Sequence, residues 1–154
     1  MSNADASDFD LATFLPYQLS VASNAVSNRI AQVYHREFGL KVTEWRVMAM
    51  LGDAGALTQR ELAERTVMDK VAVNRACKVL EDRDLARRRP NPSDGRSHML
   101  ELSEAGVAMH GKIVPRARAI EASLLEALGV EREDAFRDIL GRIREQATQF
   151  GPEA

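Results

Sequence analysis

Residues 58–82 read TQRELAERTVMDKVAVNRACKVLED, and this stretch decides the fold. Thr58 and Glu61 have the spacing of a capping box, in which each side chain accepts a hydrogen bond from the other residue's backbone N–H. They predict a short helix that ends near Arg65. Asp69 is a second N-cap residue and predicts a longer helix that continues to about Asp82. A short helix, a turn over residues 66–68 and a longer helix are the layout of a helix-turn-helix.

The longer helix is predicted to have two distinct faces. At 100° per residue its apolar side chains group on one side, which carries Val73, Ala76, Cys77 and Leu80. The opposite side carries Val71, Asn74, Arg75, Lys78 and Asp82. A polar, cationic outer face favours a recognition helix for DNA. A structural hairpin inside a helical bundle gives the same pattern, so this stretch alone leaves both interpretations open.

The segment after the longer helix predicts a β-hairpin. Residues 85–89 (LARRR) and 97–102 (SHMLEL) have strand composition, and residues 90–95 (PNPSDG) are turn formers. Arg96 follows this predicted tip directly. A hairpin that follows a recognition helix is the wing of a winged helix-turn-helix. The predicted fold class is therefore mainly α with a small β-hairpin wing, and residues 43–102 are the predicted DNA-binding lobe.

Charge is distributed unevenly along the chain. The whole sequence has 21 Lys and Arg against 23 Asp and Glu, which gives a net charge of −2. Residues 56–100 have 10 Lys and Arg against 7 Asp and Glu, so the predicted lobe is basic within an acidic chain. A basic surface is typical of nucleic-acid binding, although a solvated charged surface has the same composition.

Helices with apolar stripes are predicted on both sides of the lobe. A first helix covers about residues 13–38 and ends at Gly39, and Thr43 is the predicted N-cap of a second helix. Further helices cover about residues 103–127 and 131–150. Their apolar stripes exceed what one small lobe can bury, which favours a homodimer.

The helical pattern also predicts how the chain is organised. We expect residues 13–42 and 103–150 to form a helical dimerisation region, within a single domain over residues 13–154. Residues 1–12 are predicted to be a disordered or tag-like N-terminus.

Composition argues against several other classes of protein. No apolar run approaches the roughly 20 residues of a membrane span, and the N-terminus lacks the features of a signal peptide, so we expect a cytoplasmic protein with no membrane partner. A single cysteine and three scattered histidines predict no disulfide, no metal site and no cofactor. Cys77 falls on an apolar helix face, which predicts an unreactive structural thiol. No nucleophile–base pattern or phosphate-binding loop indicates an enzyme.

Several motifs together resemble the MarR family of bacterial transcription regulators. Residues 15–19 (LPYQL) and 38–47 (FGLKVTEWRV) look like the family's first two helices, and residues 68–75 (MDKVAVNR) and 80–85 (LEDRDL) are similar to its recognition-helix pattern. Residues 94–96 (DGR), before residues 101–106 (ELSEAG), resemble its wing tip and the helix that follows. The similarity extends from about Leu15 to Phe150. Asn74 and Asp84 depart from the family, which often has Ser and usually has Gly at these positions.

The resemblance implies a homodimer with a winged helix-turn-helix in each lobe, joined through the outer helices. It also implies binding to a pseudo-palindromic operator in double-stranded DNA, usually as a repressor, and release by a small aromatic or phenolic anion. Two alternatives stay open: a DNA-binding or architectural dimer that responds to no ligand, and a helical interaction module that does not bind DNA.

The predicted DNA contacts lie on the recognition helix, around the turn and on the wing. Arg75 and Asn74 can read guanine and adenine respectively, because Arg and Asn match the paired hydrogen-bonding edges of those bases. Arg96 can enter a narrow minor groove, and Asp94 is expected to pair with it and set its direction. Alternatively, Asp94 is only a turn residue. The full set of predicted contacts is Gln59, Thr66, Lys70, Val71, Asn74, Arg75, Lys78, Arg88 and Arg96.

A second candidate site lies where the first two helices are expected to meet the fifth. Its predicted residues are Tyr34, His35, Trp45 and Arg46. An aromatic wall with a cation nearby suits an aromatic carboxylate, so this set is the predicted effector pocket. Alternatively, Trp45 is a core residue and Arg46 is the partner in an ion pair.

Overall fold

A computed structural model describes residues 9–149. Its elements in chain order are α1 (Leu15–Phe38), α2 (Val42–Ala54), β1 (Leu57–Thr58), α3 (Gln59–Thr66), α4 (Lys70–Asp82), β2 (Ala86–Asn91), β3 (Asp94–Leu102), α5 (Glu104–Leu125) and α6 (Val130–Gln149). A short 3-10 helix, Glu126–Leu128, precedes α6. Residues 1–8 of the predicted tail and the predicted domain end at residues 150–154 lie outside the described residues.

The chain divides into two compact units, residues 1–112 and 113–154. Within the described residues, the first unit contains α1 to α4, all three strands and the start of α5. The second contains the rest of α5, the 3-10 helix and α6. The predicted fold class, mainly α with a small β-hairpin, is confirmed.

The sheet has three antiparallel strands in the order β1-β3-β2. In its register Leu57 of β1 and Arg88 of β2 both lie opposite Leu100 of β3. The strand β1 was not expected from the sequence, because two residues are too few to show the alternation typical of a strand. Since β1 runs directly into α3, it joins the wing to the start of the helix-turn-helix.

The turn of the wing is shorter than predicted. Residues 90–95 were expected to form it, but β2 and β3 are joined by Pro92 and Ser93 alone. Asn91 closes the turn, because its side-chain oxygen accepts from the Ser93 N–H at 3.0 Å and its amide donates to Ser97 Oγ at 2.9 Å. Pro90 is tolerated in β2 because an edge strand has no second neighbour that needs its missing N–H.

Local capping sets the starts of the helix-turn-helix as predicted. Thr58 Oγ1 accepts from the Glu61 N–H at 3.2 Å, and Glu61 Oε2 accepts from the Thr58 N–H at 2.8 Å. The Thr58 N–H and the Thr58 hydroxyl both donate to the Glu61 carboxylate, and these two hydrogen bonds lower the pKa of Glu61. Asp69 Oδ1 caps α4 by accepting from the Ala72 N–H at 2.8 Å.

The boundaries of the first two helices give one confirmation and one correction. Gly39 ends α1 in the left-handed conformation, with φ +63°, as predicted. Thr43 is not the N-cap of α2, which begins one residue earlier at Val42. The Glu44 carboxylate instead accepts from the Lys41 N–H at 2.8 Å, so a side chain inside the first turn satisfies that backbone donor.

The core of the first unit fixes the orientation of α4. The four apolar side chains predicted to face inward, Val73, Ala76, Cys77 and Leu80, are all buried. They are joined in the core by buried side chains of α2, α3 and the sheet, including Val47, Met48, Leu51, Leu62 and Leu100. Burial of one face leaves the opposite face of α4 for contact with another molecule.

Candidate DNA-binding surface

The outer face of α4 is the central part of the candidate site. Burial of its apolar side leaves the predicted outward side chains exposed, and these are Lys70, Val71, Asn74, Arg75 and Lys78. They recur every three or four residues along a helix of 13 residues, which is about 20 Å long. A single exposed stripe of this length fits the width and depth of a DNA major groove.

The cations on this face are available to bind an anion. Within residues 9–149, Lys70 and Arg75 have no ion-pair partner. Lys78 Nζ lies 3.6 Å from Asp82 Oδ2, and both side chains are largely exposed. Such an exposed pair contributes little energy and exchanges easily for a phosphate.

The predicted contacts around the turn are held by α3. Gln59 is half-buried in the first turn of α3. Thr66 closes the last turn, where its hydroxyl donates to the Leu62 carbonyl at 2.5 Å. Thr66 is therefore fixed in place, and its hydroxyl oxygen can still accept a hydrogen bond.

Ion pairs neutralise most of the positive charge of the three arginines in β2. Arg88 Nε donates to Glu81 Oε1 at 2.7 Å, and this hydrogen bond raises the pKa of Arg88. Arg87 and Arg89 lie 2.8 and 3.5 Å from the two carboxylate oxygens of Glu101. Of these three arginines only Arg88 was a predicted DNA contact. It can reach phosphate only by exchanging its Glu81 partner.

A groove of about 270 Å³ brings two predicted contacts together between α3 and the sheet. Gln59 and Arg88 both line it, together with Arg60 and His98. Because Arg60 pairs with Glu64 at 3.0 Å, the groove is close to charge balance. Gln59 and Arg88 therefore line one groove, which is not a strong anion site.

Arg96 is the free cation of the wing. Its side chain is exposed, and no acidic side chain among the described residues pairs with it. Asp94 contacts Arg96 differently from the expected ion pair: Asp94 Oδ1 accepts from the Arg96 backbone N–H at 2.9 Å. Asp94 therefore shapes the backbone at the tip, and the Arg96 guanidinium is left unrestrained.

The predicted effector-pocket residues are only partly brought together. The rings of Tyr34 and Trp45 meet edge to face, with 5.5 Å between their centroids. Tyr34 is buried, and burial raises its pKa. His110 stacks on Trp45 with 5.8 Å between centroids and was not predicted, because nothing in the sequence links α5 to α2 at that point. His35 and Arg46 are exposed.

Two other residues with structural consequences were missed. The Arg83 guanidinium donates to the carbonyls of Phe38 and Gly39 at 3.0 and 2.9 Å, and so joins the end of α4 to the end of α1. Val67, in the turn before α4, is 87% exposed. Helical periodicity carries no signal for either, since Arg83 acts on another helix end and Val67 lies outside any helix.

Cys77 is buried and unpaired, in agreement with a structural thiol. Burial, assisted by the negative charge of Glu81, raises its pKa to about 11.

Among residues 9–149, no three His, Cys, Asp or Glu side chains group as metal ligands. In the same part of the chain no helix is long and apolar enough to cross a membrane.

Comparison with known proteins agrees with this geometry. Residues 38–97 match a family model described as the MarR family, and this range covers the end of α1 through most of the wing. The HTH-type transcriptional regulator MhqR of Bacillus subtilis is 23% identical over 86% of this chain and 90% of its own length. The HTH-type transcriptional repressor NicR of Pseudomonas putida is 28% identical over 62% of this chain and 61% of its own length.

A solved structure extends the similarity over most of the chain. The MarR family transcriptional regulator SPO1453 from Silicibacter pomeroyi DSS-3 is 29% identical, with a TM-score of 0.72. The match covers 88% of this chain and 99% of that structure. The fold similarity thus includes the outer helices as well as the helix-turn-helix.

Proposed function

This chain belongs to the MarR family of DNA-binding transcription regulators, which are not enzymes, and on that premise we propose that it is a homodimeric repressor acting on a pseudo-palindromic operator. We propose further that a small aromatic or phenolic anion releases it from DNA, and that it acts in the cytoplasm. Residues 43–102 form the DNA-binding lobe in this proposal, and residues 13–42 and 103–150 form the dimerisation region.

One observation carries the operator-binding part of the proposal: the exposed outer face of α4 presents Lys70 and Arg75 without ion-pair partners. Free cations flanking Asn74 combine a sequence-independent attraction to phosphate with a side chain suited to a base edge. The free Arg96 adds a third cation on the wing. An acidic protein partner would account for the two exposed cations but not for the exposed amide of Asn74 between them.

Exposed apolar side chains support the homodimer. On α1 they are Leu15, Tyr17, Val21 and Val26, and on α6 they are Phe136, Ile139 and Leu140, each between 39% and 60% exposed. Exposed apolar surface on several helices marks a protein interface, and an identical chain supplies the same surface in return. Two lobes related by a two-fold axis then match half-sites about 10 base pairs apart.

Sedimentation tests the dimer. At low micromolar concentration the protein should sediment with about twice the monomer mass of 17.1 kDa. A double variant that places charge on α6, Ile139→Glu with Leu140→Glu, should shift the species towards monomer. A monomeric wild-type protein would contradict both the dimer and the symmetric operator.

The aromatic cluster supports an anionic effector with a ring. Trp45 supplies a half-buried aromatic ring beside the buried Tyr34, and His35 and Arg46 supply exposed groups that can hold a carboxylate.

The name of NicR, a transcriptional repressor, supports repression as the mode of action.

Ligand response is tested on DNA that the protein itself selects. The wild-type protein enriches duplexes from a random-sequence library of about 30 base pairs, long enough for two half-sites one helical turn apart. Affinity for the selected duplex is then measured with benzoate, 4-hydroxybenzoate and other aromatic carboxylates and phenols, with cyclohexanecarboxylate as a non-aromatic control. We expect an aromatic anion to weaken binding in wild type and less in Arg46→Gln. If no aromatic anion alters the affinity, the ligand-independent dimer replaces this part of the proposal.

A further inference from the structure

Two valines are exposed around the start of α4. Val67, the C-cap residue of α3 in the turn before α4, has 87% of its surface exposed, and Val71, the second residue of α4, has 60%. They are four residues apart in the chain, and Val67 is the most exposed large apolar side chain of the described residues. Neither valine contributes to the core, so the fold gives no reason for an apolar side chain at either position.

The backbone at Val67 makes the choice of valine more unusual. Its φ is +54° and its ψ +39°, which is the left-handed region that glycine and asparagine adopt readily. A β-branched side chain is among the least suited to that region, because its Cβ substituents crowd the neighbouring carbonyl. Among the described non-glycine residues only Asp84 shares a positive φ. Because Val67 is the C-cap of α3 and its N–H donates to the Ala63 carbonyl, the helix end accounts for the left-handed backbone but not for a valine there.

We propose that Val67 determines operator specificity by packing, together with Val71, against the C5 methyl group of a thymine in the major groove. This inference rests on the proposed function, because it needs α4 to lie in the groove of an operator. The first residues of a recognition helix are those that reach base edges. Val71 is the second residue of α4, and Val67 precedes the start of α4 by three residues.

Thymine is the chemical partner that fits an exposed apolar side chain there. The thymine C5 methyl is the one apolar group on the major-groove edges of the four bases, and aliphatic side chains recognise it by contact. Lys70 lies between the valines in the chain and can hold the neighbouring phosphate, and Asn74 is one turn further along α4. Since Asn pairs with adenine, the same end of α4 is suited to an A·T-containing half-site.

The test removes the methyl group from the DNA. In the duplex selected by the wild-type protein, each thymine is replaced in turn by deoxyuridine at the symmetric positions of both half-sites. Deoxyuridine pairs like thymine and lacks only the C5 methyl. At one position wild-type affinity should fall by about fourfold per half-site, which corresponds to one methyl group returned to water.

Two variants assign the effect to Val67. Val67→Asn suits the left-handed backbone and replaces both methyl groups with a polar amide, so it should no longer distinguish thymine from deoxyuridine at that position. Val67→Ile keeps an apolar branched side chain and should retain the distinction. Thermal unfolding should give similar midpoints for Val67→Ile and wild type and no lower midpoint for Val67→Asn, since the side chain is outside the core.

The outcomes separate this inference from the proposed function. Loss of the distinction in Val67→Asn, with retention in Val67→Ile, supports it. Operator binding with indifference to every deoxyuridine, or an unchanged distinction in Val67→Asn, overturns it and leaves the operator proposal standing. Failure of the wild-type protein to bind any duplex overturns both.

Discussion

The Arg96 guanidinium is free at the tip of the wing, because Asp94 holds only the backbone amide of Arg96. If this guanidinium enters a narrow minor groove, Arg96→Ala should weaken operator binding by about 1–3 kcal/mol, with base discrimination confined to A·T-rich flanks. Arg87→Ala is the matched control, since it removes an arginine of the same hairpin that is already paired with Glu101. Equal losses in the two variants would show that the wing acts only through general charge.

A conservative substitution of Arg75 distinguishes whether this side chain reads a base or holds a phosphate. Arg75→Lys keeps the positive charge but loses the planar fork that matches guanine, so it should relax the preference at one base pair per half-site with little loss of non-specific binding. Lys78→Ala should instead weaken binding to all sequences about equally. The measurement is a comparison of affinities across single-base variants of the selected duplex. An unchanged preference in Arg75→Lys would assign Arg75 to phosphate.

Cys77 should be inert at ordinary pH. Because its pKa is about 11, about one thiol in a thousand is ionised at pH 8, and the thiolate is the reactive form. A thiol reagent should therefore react slowly with the folded protein and completely after unfolding. Rapid reaction of the native dimer at pH 8 would contradict burial of Cys77.

The same pKa links Cys77 to stability at alkaline pH. An unfolded cysteine ionises near pH 8.5, whereas the folded one holds its proton to about pH 11. The unfolded state thus loses its proton first, and the free energy of unfolding should fall as pH rises from about 9 to about 11. Cys77→Ala lacks this ionisation, so its unfolding free energy should depend less steeply on pH over that window. Parallel curves would count against the shift.

Among the elements, the helices with a local cap and the two long strands of the hairpin were predictable, whereas the two-residue strand β1 and the length of the wing turn were not. Thr58 and Asp69 cap α3 and α4 through hydrogen bonds to residues three positions away, which the sequence displays directly. The strand β1 depends on Leu57 lying opposite Leu100, a distant partner that no local pattern reveals. The wing turn was predicted too long because Asn91 replaces the expected loop contacts with its own side-chain hydrogen bonds.

Two glycines of α5 should respond in opposite ways to alanine. A Cβ on Gly106 would stand 1.9 Å from the Leu85 carbonyl oxygen, whereas a Cβ on Gly111 meets nothing within 4 Å. Gly106→Ala should therefore lower the free energy of unfolding by about 3 kcal/mol or more. Gly111→Ala should raise it by up to about 1 kcal/mol through helix propensity.

Denaturant unfolding of both alanine variants measures the difference. The junction at Gly106 also includes Ser103, whose hydroxyl donates to the Asp84 carbonyl at 2.6 Å and accepts from the Gly106 N–H at 3.0 Å. Equal stability of the two variants would show that the wing and the start of α5 are not as closely packed as the structure has them.

Across the whole molecule, the basic residues 56–100 have less unpaired positive charge than their composition indicates. Glu81 and Glu101 pair with the three arginines of β2 and leave one net positive charge, and this pairing depends on the register of the sheet, which the sequence does not display. The outward residues of α4 were predictable because they follow from helical periodicity alone. Among the candidate DNA contacts that the structure describes, Lys70, Arg75 and Arg96 are the cations without an ion-pair partner, and they set the expected electrostatic contribution to binding.

The salt dependence of binding tests the central claim, that a dimer of this chain holds operator DNA through both of its lobes. Three free cations among the candidate contacts of each lobe, with Lys78 after exchange of its partner, give about six or more neutralised phosphates per dimer. The logarithm of affinity for the selected duplex should then fall against the logarithm of salt concentration with a slope of about −5 or steeper. Two protomers should bind each duplex. A slope near zero, or a single protomer per duplex, would contradict the account.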